Sequence, residues 1–94
     1  MTQRRTLQET RTPLAPAAVL AAAREFFARR PSIYAAFPEQ EGAHHVTLRG
    51  QGGEEVVIGA IERDGATLVT GASYMFDAQV ARFLATLPPA AGVA

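Results

Sequence analysis

The stretch "EEVVIGAIERDGATLVTGA", residues 54–72, limits the fold more than any other part of the chain. Two runs of β-branched and apolar residues flank Asp64-Gly65, and Asp-Gly is among the few dipeptides that accept the left-handed backbone a two-residue hairpin turn requires. The runs are therefore predicted to pair as antiparallel strands. Side chains alternate along a strand, so Val57 and Ile61 share one face while Val56, Ile58 and Ala60 share the other. A strand that covers a core on one side and meets water on the other alternates apolar with polar residues, and this one is apolar on both sides. Something must cover each face.

Around this hairpin the other elements follow from spacing and punctuation. "TPLAPAAVLAAAREFFARRP" predicts a helix. Pro13 and Pro16 suit its first turn, Val19, Leu20, Ala23, Phe26 and Phe27 form an apolar stripe, and Pro31 stops it. A second helix is predicted from Phe76, Val80, Phe83, Leu84 and Leu87, with Asp77 or Ser73 as N-cap and Pro88-Pro89 beyond its end. Thr6 to Thr12 reads as a polar edge strand. "SIYAAF" is expected to be a strand with Ile33, Ala35 and Phe37 opposite Tyr34, "PEQEG" a turn, and "AHHVTLRG" a strand leading into the glycine-rich turn Gly50 to Gly53. The expected order is β-α-β-β-β-β-α, an α+β fold in which an antiparallel sheet of about four to five strands carries both helices on one face. Residues 1–88 form one domain on this reading, and 89–94 a loose tail.

Composition narrows the functions available. The chain has 94 residues, 48% hydrophobic and 19% charged, which suits one globular domain. Nine basic residues, all Arg, balance nine acidic ones. Zero net charge disfavours binding that rests on neutralising many phosphates. With no Cys there is no disulfide framework, thiol nucleophile or cysteine-held zinc. "MTQRRTLQETRT" lacks the apolar core of a secretory signal, and "PLAPAAVLAAA" is far shorter than the ~20 apolar residues of a membrane span. A soluble cytoplasmic protein with no membrane association is the expectation.

Individual motifs assign no chemistry. "LVTGAS" is similar to the opening turn of short-chain dehydrogenases, with Gly71 at the first glycine position, but Met75 and Asp77 stand where the next two glycines belong. Those glycines admit the pyrophosphate, so no nucleotide cofactor is expected. His44 and His45 are adjacent on a strand and point to opposite faces, which prevents shared chelation of a metal. Ser32, Ser73, Tyr34 and Tyr74 lack a supporting Ser-His-Asp order, and no residue is assigned a catalytic role. Arg4, Arg5 and Arg11 read as a basic, solubilising N-terminal stretch.

The element order resembles that of the helix-grip family of lipid-transfer and polyketide-cyclase-like proteins, in which a first strand runs into a helix as "TLQETRTPLAPAAVLAAAREF" does here. That resemblance implies a hydrophobic ligand cavity. The order also resembles a single TATA-binding-protein-like repeat, with Thr70-Gly71-Ala72 before the second helix, which implies a saddle made by two copies.

The reading that best accounts for the two-sided strand is a non-enzymatic interaction module, a homodimer or accessory subunit that buries the second sheet face. Its expected contact set is Val56, Ile58 and Ala60, with Thr47 and Arg49 at the rim. The alternative is a binder of a small apolar ligand, using Phe27, Tyr34, Leu48, Val57, Ile61 and Tyr74 around a cavity of at least ~300 Å³ between helix and sheet. Nucleic-acid binding ranks third, because Glu54, Glu55 and Glu62 sit beside Arg49 and Arg63 on the central strands.

Overall fold

The computed structural model describes residues 6–90, apart from the side chains of Thr6 and Ser32. Arg4, Arg5 and the last residues of the expected tail lie outside that range. Strand β1 (Thr6–Thr12) runs into helix α1 (Pro16–Ala28), and a single 3-10 turn (Ser32–Tyr34) leads to β2 (Ala36–Glu41). Then come β3 (His45–Gly50), β4 (Glu55–Arg63), β5 (Ala66–Tyr74) and helix α2 (Asp77–Thr86). The strands make one five-stranded sheet in the order β1-β5-β4-β3-β2, every neighbouring pair antiparallel. The fold is α+β, in the element order expected from the sequence.

Both helices lie on the same face of the sheet. Helix α1 crosses β2, β3 and β4, and α2 lies over β5 and β1. Beneath them Val46 and Leu48 of β3, Val56, Ile58 and Ala60 of β4 and Val69 of β5 meet Val19, Leu20, Ala23 and Phe27 of α1 and Val80, Phe83 and Leu84 of α2. The helices join through aromatic rings. Phe26 lies 5.1 Å from Phe27 and 5.5 Å from Phe83, and Phe27 lies 5.8 Å from Phe83, centroid to centroid and tilted or edge-on. Such pairs add about 0.5–1.5 kcal/mol each to the gain from burying the rings.

The Asp-Gly signal is realised: Asp64 and Gly65 take φ of 52° and 79°, as a primed hairpin turn demands. The segment around β2 departs from expectation. Ser32–Tyr34 is a 3-10 turn closed by Tyr34 N–H donating to the Pro31 carbonyl, and the strand comprises Ala36–Glu41, including most of the segment expected to turn. Neither helix has a side-chain cap. Phe76 occupies the N-cap position of α2, while the Ser73 hydroxyl donates to Asp77 Oδ1 at 2.7 Å. Of the expected loose tail, Ala90 is buried and its N–H donates to the Arg11 carbonyl at 3.1 Å.

Candidate functional site

Alternation along β4 decides which face is free. Val56, Ile58 and Ala60 are at most 1% exposed beneath the helices, whereas Val57 is half-buried and Ile61 is 39% exposed on the opposite side. This corrects the expected contact set. Val56, Ile58 and Ala60 belong to the monomer's own core and cannot meet a partner while the helices are in place. Thr47 and Arg49 do lie on the uncovered face, because β3 turns Val46 and Leu48 inward.

The uncovered face is legible as rows across the strands. One row runs Leu7, Ala72, Val57, Thr47 and ends near Gln40 of β2. The next runs Glu9, Thr70, Gly59, His45, and a third Arg11, Leu68, Ile61. At the opposite end a row of Phe37, Arg49, Glu55 and Tyr74 completes the face. Leu7 is 65% and Phe37 54% exposed, so large apolar side chains stand open to water on a face that neither helix covers.

Arg49 anchors one corner. Its Nη2 donates to Glu39 Oε1 at 2.7 Å and to Glu55 Oε2 at 3.3 Å, while Nη1 donates to the Gly53 carbonyl at 3.2 Å. The hydrogen bond to Glu39 holds the Arg49 guanidinium above its ordinary pKa, and the charges of Glu39 and Glu55 add to that effect. With those donors engaged, the guanidinium pins β2, β3 and β4 together; it is not a loose charge awaiting a ligand. Arg11 at the other corner reaches along the face, its Nη2 donating to the Arg63 carbonyl at 2.7 Å.

The six residues expected to line a ligand space are not brought together. Phe27 and Leu48 are fully buried in the helix-covered core, Val57, Ile61 and Tyr74 lie on the opposite face, and the Tyr34 ring packs 5.8 Å from Phe76 at the end of the sheet. A depression of about 360 Å³ is lined by Glu62, Arg63, Asp64, Gly65, Ala66 and Thr67 at the β4–β5 turn, and includes none of the six residues.

No family profile, curated protein or solved structure matches the chain.

His44 and His45 flank the start of β3. The His45 ring folds over Gly42, and the His44 carbonyl accepts the Ala60 N–H at 2.9 Å. Among the described residues no group of three or more His, Cys, Asp or Glu side chains could hold a metal ion, and no helix is long and apolar enough to cross a membrane. Sequence reasoning missed Leu7, Phe37, Leu68 and Ala72 as members of the open face. Strand parity counted outward from the Asp64-Gly65 turn, which sets Ile61 opposite Leu68 and Val57 opposite Ala72, could have placed the last two; Leu7 and Phe37 lie on strands that this turn does not join.

Proposed function

We propose that the protein is an interaction module that works by association through the uncovered face of its sheet, with a second copy of the chain as the occupant. One observation carries the reading: Leu7, Phe37 and Ile61, 65%, 54% and 39% exposed, stand with Val57, Leu68 and Ala72 on a single sheet face that no element among the described residues covers. Apolar side chains gathered on one face mark an interface more often than chance exposure does. Covering the face with its own copy requires no further component and gives a closed, symmetric assembly.

Area supports a modest affinity. At the usual strand spacing, four overlapping strands of β1's length would bury on the order of 1,000 Å² over both copies, the lower end for a specific interface. Association is then expected in the micromolar range and to be visible on dilution.

A native mass spectrum recorded across a dilution series tests the reading. Twice the chain mass at high concentration, falling to the monomer below, is the expected result. Ile61→Glu should give monomer throughout with an unchanged helical circular dichroism signal, because the added carboxylate lies on the open face and not in the core. Wild-type protein that is monomeric at every concentration would end the reading. Extra mass on that monomer would favour the small-ligand alternative instead.

A further inference from the structure

We infer that the two copies pack face to face about a two-fold axis that lies in the interface and runs along the strands, midway between β4 and β5, so that Glu9 of each copy meets the partner's His45. The inference rests on the association reading above and adds its geometry.

Both edges of the sheet oppose the other way in which two sheets can join. Edge β2 carries Pro38, which has no N–H to donate, a register shift between Pro38 and Gln40, and the carboxylates of Glu39 and Glu41. These are the devices that keep a strand edge from pairing with a neighbour. Edge β1 is engaged at Arg11, whose carbonyl accepts the Ala90 N–H. Extension of the sheet edge to edge is therefore opposed along β2 and interrupted at Arg11 of β1, and the face remains.

Within the face, the rows select the axis. A two-fold rotation along the strands between β4 and β5 lays β1 over the partner's β3 and β5 over the partner's β4, returns every row to itself, and leaves β2 with its exposed Phe37 outside the overlap. Leu7 then lies over the partner's Thr47, Ala72 over the partner's Val57, and Leu68 over the partner's Ile61. The middle row has a carboxylate at its β1 end, Glu9, and at its β3 end His45, whose imidazole leans over the neighbouring Gly42. Between them it is low, since Gly59 has no side chain and Thr70 Oγ1 fills the place a Cβ would take, 2.7 Å away. The same rotation therefore opposes acid to imidazole twice, on either side of a flat centre, with Leu7, Ala72 and Val57 in the row on one side and Leu68 and Ile61 in the row on the other. An axis across the strands does the reverse. It sets Glu9 over the partner's Glu9, His45 over the partner's His45, and Arg11 over the partner's Leu7, which stacks like groups and buries charge on apolar surface. Aligned sheets commonly pack with strands within about 30° of one another, a geometry this axis permits.

The test is a charge exchange read by sedimentation equilibrium on the full chain. Glu9 and His45 are both exposed, so their replacement leaves the core untouched, and circular dichroism verifies that. Glu9→Lys alone and His45→Glu alone should each weaken the dimer by about tenfold, the scale of a lost charged contact across an interface, and the two together should return it to within about threefold of wild type. If neither single variant weakens association, or if the double variant is as weak as the product of the singles, the geometry is overturned while a wild-type dimer keeps the association reading standing. A wild-type monomer overturns both.

Discussion

Gly71 is a point of close approach between α2 and the sheet. A Cβ built on it would stand 2.5 Å from Val80 Cγ1 and 3.4 Å from Ile58 Cδ1, and Val80 is fully buried and, as a β-branched residue in a helix, strongly prefers one rotamer. The same glycine reads in the sequence as the first position of a phosphate-binding turn. Its tertiary role is to let α2 settle on β5, an interaction between residues nine apart in sequence that no local motif records. Gly71→Ala should therefore lower the unfolding free energy by about 1–3 kcal/mol, the range for overpacking a closed core. Urea denaturation followed by circular dichroism would measure it, and an unchanged midpoint would mean that α2 can shift freely.

Among the elements, the β4–β5 hairpin and the β2 segment mark the limits of local reading. The hairpin is specified by its own residues: Asp64-Gly65 sets the turn, and the turn sets the register from Arg63–Ala66 through Glu55–Tyr74. Gly65 has φ 79° with no heavy atom near a built Cβ, so Gly65→Ala meets strain but no clash. The expected loss is about 1 kcal/mol, the cost of holding an L-residue in the left-handed region. Thermal unfolding would show this as a lower midpoint, and loss of the fold altogether would contradict a purely local effect. The strand β2 could not be read this way. Its residues Phe37 to Glu41 are all exposed and include a proline, so periodicity has nothing buried to report. It becomes a strand because β3 offers it an edge and Arg49 ties it down through Glu39. Helix α2 is similar in its start: Asp77 and Ser73 bond each other, and Phe76 takes the cap position because its ring packs into the core.

For the whole molecule, the question is which side of the sheet the helices take. Ile58→Glu distinguishes core from surface: Ile58 is fully buried, and an unpaired carboxylate there costs several kcal/mol, comparable to the total stability of a small domain. The variant should lose its cooperative melt, unlike the open-face variant Ile61→Glu. A folded Ile58→Glu protein would mean that the helices do not cover that face. The pattern of residues alone determined the element order, the antiparallel pairing about Asp64-Gly65 and the fact that β4 is apolar on both sides, because turn chemistry and side-chain alternation act over a few neighbouring residues. It could not choose between the two apolar sides of β4, since Val56, Ile58 and Ala60 differ little in hydrophobicity from Val57 and Ile61. That choice was made by packing across the chain: Val80 seats on Gly71 and Phe27 on Phe83, contacts that exist only once the helices have come down on one face of the sheet. The open face is what that choice leaves behind.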